Sequence, residues 1–362
     1  MIAAIENFVL FSTCLALACF ALAWLVRTTA RRSWRNIHSY TLTRLYTALL
    51  LAPPVAAAWI VVAAFVPETL LGEAAFDAAH LAPRHQLHLL GDLTATLEPT
   101  LAYATLIFFI AASVFAAWSS VRGSWRVGRM LHKLEMNAAP PPAEQIALVE
   151  RIARRERLDV GLVMSDYPFS FVWGFRRSKL VLSSGLLRTL NGDELAGVLE
   201  HEAAHHARRD NMAKLLLSAC SFASLMFPLS RLLLRWRAEE VEMVCDEVAT
   251  ARTLAPLDVA SALVKLRRQV LTPVASVSNR VAPSGASSFA PDDFQSFERR
   301  VHRLVAFADA TPDETRAVLL SRAKYNRVIV VIALFASSIL LLSFTAPLAV
   351  HRAAEALIRL IN

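Results

Sequence analysis

The chain has 362 residues, 56% of them hydrophobic, and a mean hydropathy of +0.44. That is too apolar for an ordinary soluble domain and points to a membrane protein. A net charge of +8 comes without any nucleic-acid motif, so nucleic acid is not expected as a partner. Four cysteines with no Cys-x-x-Cys pair speak against a disulfide framework and against a thiolate metal site.

Residues 8–26 form the first long uncharged run, sufficient to span a bilayer at about 1.5 Å per residue. Glu6 precedes it rather than a cation, so a span is expected and not a cleaved leader. Residues 45–66 form a second run, with a kink expected at Pro53 and Pro54. Residues 101–118 and 328–350 give a third and a fourth. The link after the first span carries Arg27, Arg31, Arg32, Arg35 and Arg44 with no acidic residue. The link after the second carries Glu68, Glu73, Asp77, Asp92 and Glu98 against Arg84 alone. Arg122, Arg126, Arg129 and Lys133 follow the third, and Arg322, Lys324 and Arg327 precede the fourth. Cations mark the cytoplasmic side, which places both termini outside and residues 120–326 in the cytoplasm. The expected layout is therefore a three-span membrane region over 1–119, a cytoplasmic domain over 120–326, a fourth span over 327–350 and a short outer tail over 351–362. The setting is a bacterial-type inner membrane, and the basic balance reflects topology and anionic lipid. His80, His85 and His88 fall in the outward loop and are read as exposed loop residues.

The cytoplasmic region opens with a basic helix to about Met136, and Ala-Ala-Pro-Pro-Pro at 138–142 makes a stiff linker. Residues 143–158 read as an amphipathic helix. Residues 160–164, 169–173 and 179–182 read as short strands of a small sheet. The fold expected is mainly α, of α+β type.

Asn191 and Gly192 then make a turn before a helical run that leads into Glu200-His201-Glu202-Ala203-Ala204-His205. Residues four apart share a helix face, so His201 and His205 can present two imidazoles to one ion. Zinc held by two histidines and a third protein ligand, with one position open, activates water near neutral pH. A carboxylate such as Glu202, one step round the helix, can take the proton from that water and return it to a leaving amine. A second acidic helix follows with Glu239, Glu240, Glu242, Asp246 and Glu247. Glu242 and Asp246 share a face, so one can ligate while the other orients an imidazole. A solvated acidic face is the alternative. Between the two helices, residues 215–234 form a fifth apolar run, interrupted by Pro228 and Arg231. It reads as a buried or membrane-apposed hairpin, because a single crossing would separate Glu242 from His201. Cys245, between Glu242 and Asp246, is expected to point away from the metal.

Residues 257–270 and 294–308 look helical. Residues 272–291, rich in Ser, Pro and Ala, read as a flexible loop.

His201-Glu202-x-x-His205 running into Arg208-Arg209-Asp210, together with Glu242-x-x-Cys245-Asp246, resembles the BlaR/MecR-type membrane metallopeptidases of the gluzincin group. Phe171-Val172-Trp173-Gly174 and Lys179-Leu180-Val181-Leu182 are similar to the strand pair before the active helix there, and also to the HtpX/Ste24 proteases. The resemblance implies one zinc ion per chain on His201, His205 and Glu242. It makes Glu202 the general base, places Asp246 behind a ligand, and implies a substrate strand at Phe171, Val172, Trp173 and Gly174. It also implies a cytoplasmic repressor, or the chain itself, as protein substrate. Only residues 351–362 follow the last span, so the penicillin-binding sensor domain of those transducers is not expected. Clearance of damaged membrane proteins, as by HtpX, is the second expectation. A receptor or scaffold with structural zinc is the third.

Overall fold

The computed structural model describes residues 2–32, 39–65, 140–175, 178–222, 227–270, 287–288 and 294–309, with single helical positions between Ile107 and Trp125. The outward loop, the fourth span, the tail, the linker up to 139 and most of the third span lie outside the described residues. Within them the chain is mainly helical with one small sheet.

Two long helices come first, Ile2–Arg32 (α1) and Ser39–Phe65 (α2), with Pro53 and Pro54 inside α2. Among the described residues no helix is long and apolar enough to cross a membrane. The fifth apolar run falls into two helices, Asp210–Phe222 (α6) and the start of Phe227–Thr253 (α7). Leu217, Leu233 and Trp236 from these two pack with Ala23 of α1 and Leu42, Tyr46, Leu49 and Leu50 of α2. Polar contacts reinforce the join. Arg27 donates to Glu239 at 2.8 Å and lies over the Trp236 ring, and Arg237 Nε donates to Thr47 Oγ1 at 2.9 Å. The N-terminal helices thus rest directly on α7, which also carries Glu242 and Asp246.

The second core lies between the sheet and the remaining helices. Ala143–Glu156 (α3) ends at Arg157, which takes a left-handed conformation (φ 55°), two residues before the sequence pattern suggests. Asp159–Val163 (β1), Ser170–Trp173 (β2), Lys179–Ser183 (β3) and Ser287–Ser288 (β4) form a sheet in the order β1-β3-β2-β4. β1 runs parallel to β3, and β2 is antiparallel to both β3 and β4. The loop expected over 272–291 therefore contributes a short strand. It satisfies main-chain groups that β2 would otherwise leave open, a tertiary pairing that a Ser-rich sequence does not announce.

Alternation along the strands sorts the side chains. Val172, Leu180 and Leu182 face the helices, while Phe171, Val163 and Val181 cluster on the opposite side with Phe169 and Trp173. After β3 come a short helix, Ser184–Thr189 (α4), and the central helix Gly192–Arg208 (α5). Asn191 caps α5 in a reciprocal box: its Oδ1 accepts from Glu194 N at 2.8 Å, and Glu194 Oε2 accepts from Asn191 N at 2.9 Å. Leu195, Val198 and Leu199 carry one face of α5 into the core beside Val259 and Leu263 of Pro256–Val270 (α8). The last helix is Phe294–Ala308 (α9).

Gly185 has no room for a side chain. A Cβ there would sit 2.2 Å from the Asp166 carbonyl oxygen, and its own N–H donates to Ser165 O at 2.7 Å. Gly185→Ala must displace backbone, so it is expected to destabilise by about 1–3 kcal/mol. A thermal melt unchanged from wild type would contradict this.

Candidate metal centre

Helix α5 delivers the two imidazoles and α7 the carboxylate. His201 Nε2 and His205 Nε2 stand 3.2 Å apart. Glu242 Oε2 lies 3.4 Å from His201 Nε2, and Glu242 Oε1 lies 3.4 Å from His205 Nε2. Tetrahedral donors on a zinc ion about 2.0–2.1 Å away are roughly 3.3–3.4 Å from one another. The triangle therefore fits the ion in size as well as in donor type. His201 and Glu202 are fully buried, and Glu202 Oε2 has no hydrogen-bond partner in its buried position. The fourth group needed for chemistry is thus present with one oxygen free.

The far side of each imidazole is held by a carboxylate. Asp246 Oδ1 lies 2.9 Å from His201 Nδ1, and Asp210 Oδ2 lies 3.0 Å from His205 Nδ1. An acceptor beside Nδ1 favours the tautomer with the proton there and turns Nε2 of each ring toward Glu242. Arg300 in turn clamps Asp246, donating from Nε to Oδ2 at 2.6 Å and from Nη2 to Oδ1 at 2.8 Å, and its Nη1 reaches Glu242 at 3.3 Å. Burial alone would raise all three carboxyls. Asp246 is nevertheless held below its ordinary range by Arg300 and His201, and Asp210 by His205, Arg208 and Arg237. Glu242 is held well below by His205, His201 and Arg300. Glu202 goes the other way, pushed up chiefly by burial against the lowering effects of His205, His201 and Ser170. Asp210→Asn is expected to weaken zinc binding by about 10–100-fold, read by competition with a chromophoric chelator. Unchanged affinity would rule out the orienting role.

Cys245 comes closer than its helix register suggests. Its thiol is 3.5 Å from His205 Nδ1, on the side of the ring away from Nε2, and burial pushes it up. His205, Asp210 and Cys245 form a second cluster with donor atoms close together, but its histidine nitrogen is the one bonded to Asp210.

The residues expected to form a substrate strand lie on β2 and directly after it, and the edge of β2 at Phe171 and Val172 is already paired. β4 pairs with Phe171 and Val172, and Asn211 Nδ2 donates to the carbonyls of Val172 at 2.8 Å and Gly174 at 3.2 Å. Phe171 is buried in the outer cluster. Gly174 carries a φ of 107°, a region that favours glycine and turns the strand away. His302 is exposed beside Glu298 and Arg208 is tied to Asp210, so neither is free to stabilise an oxyanion at the site.

Residues 144–280 match the family model described as peptidase family M48. This stretch is M48-like. It contains His201, Glu202, His205, Glu242 and Asp246 together. Among curated proteins, the chain is 33% identical over 119 residues to a protease HtpX homolog of Thermococcus kodakarensis, covering 31% of this chain and 39% of that protein. It is 36% identical over 100 residues to a protease HtpX homolog of Methanopyrus kandleri, covering 27% of this chain and 28% of that protein. It is also 32% identical over 96 residues to protease HtpX of a Psychrobacter species, covering 24% and 32%. The matches thus span between 28% and 39% of the length of these relatives.

The roles of three residues of the M48-like site escaped sequence reasoning, although Asp210 stands in the motif that carries the resemblance. Asp210 is five residues from His205, off its helical face, and is folded back because Arg209 takes a left-handed conformation (φ 54°). Arg300 sits in the buried row Ser296, Arg300, Leu304 of α9, where a cation must have an acidic partner. Ser170 is a polar residue in the inward row of β2.

Proposed function

We propose that this chain is a membrane-associated zinc endopeptidase with its site at the cytoplasmic face. The observation that carries the reading is the triangle of His201 Nε2, His205 Nε2 and Glu242 beside the free buried oxygen of Glu202. His201, His205 and Glu242 would hold one zinc ion, which when bound polarises a peptide carbonyl and makes water easier to deprotonate. Glu202 Oε2 takes the proton from the attacking water and passes it to the departing amide nitrogen. Asp246 and Asp210 keep the two imidazoles turned so that neither competes for that proton. A site that only held zinc for structure would close its fourth position and have no use for Glu202.

The membrane part of the reading rests on the sequence. On the apolar runs of the sequence, and although no described helix is by itself long and apolar enough to cross, residues 8–26, 45–66, 101–118 and 328–350 are read as four spans with both ends outside, and residues 120–326 as the cytoplasmic domain. Leu17, Leu22, Trp24 and Leu25 of α1 and Val55 of α2 are exposed, as lipid-facing side chains are. The hairpin of α6 and α7 packs against both helices and so lies against the bilayer.

Two substrate classes follow. In the BlaR/MecR-like reading, the enzyme cuts a cytoplasmic repressor or itself. In the HtpX-like reading, it cuts damaged membrane proteins, and the similarity to proteases named HtpX favours this one. Within α9, Arg299 is bound by Glu239 and Arg300 is buried, so self-cleavage inside α9 would require that helix to open.

The test uses full-length protein in lipid nanodiscs with an unfolded membrane protein and a folded repressor as competing substrates. Cleavage that stops with a chelator and returns with zinc is expected, and the substrate cut first separates the two classes. Zinc-loaded protein that cuts neither would overturn the peptidase reading.

A further inference from the structure

The inward face of β2 breaks its own pattern at Ser170. Val172, Leu180 and Leu182 on that face are apolar core, yet Ser170 is equally buried, at 3% exposure. A buried hydroxyl in such a row is costly unless it has a partner. Its partner is Glu202: Ser170 Oγ donates to Glu202 Oε1 at 2.9 Å. The other carboxylate oxygen, Oε2, is buried with no partner.

The position of this hydroxyl is set by the fold. Ser170 pairs with Leu182 in the sheet. Asn211, directly after Asp210, ties the carbonyls of Val172 and Gly174 to the start of α6. The strand is therefore tied, two to four residues past Ser170, to the start of α6, which directly follows the histidine-bearing helix α5.

We propose that Ser170 is the positioning residue of the general base: its hydroxyl holds Glu202 Oε1 and so presents Oε2 to the attacking water. The carboxylate of a glutamate otherwise rotates about its last bond, with two broad minima, and would offer either oxygen. With Ser170 in place, one oxygen is occupied and the proton from water goes to the other, then to the leaving nitrogen, with Glu202 restored. The inference rests on the peptidase reading above.

The test compares Ser170→Ala, which removes one oxygen atom, and Ser170→Thr, which restores the hydroxyl, in the full-length protein in nanodiscs. Ser170→Ala is expected to lower kcat by about 10–100-fold, with KM, zinc content and melting temperature unchanged, and Ser170→Thr to recover most of the loss. A second readout needs no turnover. Infrared difference spectra between wild type and Ser170→Ala should show a carboxyl band shift that is absent when both proteins also carry Glu202→Gln. A kcat within twofold of wild type, a loss that tracks zinc loss, or no Glu202-dependent band shift would overturn the proposal. If wild type and Glu202→Gln are equally inactive, the peptidase reading has failed, and the infrared comparison still decides whether Ser170 holds Glu202.

Discussion

Glu202→Gln is expected to reduce peptide cleavage by about 10²–10⁴-fold while the protein stays folded and zinc-loaded. The amide has nearly the same shape and can still receive the Ser170 hydrogen bond at its oxygen. It cannot take a proton from water at neutral pH. None of His201, His205 and Glu242 is touched, so the imidazole nitrogens and the Glu242 carboxylate keep their mutual spacing of 3.2–3.4 Å. The measurement pairs initial cleavage rates with zinc content on the same preparations. Equal rates for the two proteins, with zinc present in both, would mean that Glu202 is not the base.

Arg300→Ala carries the largest expected loss of stability. Arg300 is 1% exposed and makes two hydrogen bonds to Asp246, which is also buried. Removing one partner of such a pair leaves a charge in the interior and costs about 3–5 kcal/mol. The damage does not stop at the fold. Asp246 orients His201 at 2.9 Å, and Arg300 Nη1 lies 3.3 Å from Glu242, so two of the proposed ligands lose support together. Zinc retention should fall along with the melting temperature. Arg300→Lys should rescue little, since a single ammonium cannot reproduce the two parallel bonds of the guanidinium. A variant that melts like wild type would show that the cluster relaxes around the gap.

What the sequence could reveal depended on how local the signal was. His201 and His205 share a face because four residues make about one helical turn, and the same arithmetic relates Glu242 to Asp246. Asn191 and Gly192 announced the start of α5 as a turn, and the short strands announced themselves by alternation. The rest is tertiary. Asp210 reaches His205 only because the chain reverses at Arg209. Arg300 is 54 residues from Asp246, with no periodicity to join them. β4 closes the edge of β2 from a stretch whose composition suggested only a loop. Ser170 and Arg300 share one legible trait, a polar residue in a row that should be apolar.

The most direct test of the metal site is zinc K-edge X-ray absorption on the full-length protein reconstituted with one equivalent of zinc. The account predicts two imidazole nitrogens and carboxylate oxygen at about 2.0–2.2 Å, with no sulfur in the first shell and the same spectrum in a Cys245→Ser variant. A sulfur scatterer near 2.3 Å that disappears with Cys245→Ser would place the ion instead among His205, Asp210 and Cys245, and would contradict the site proposed here.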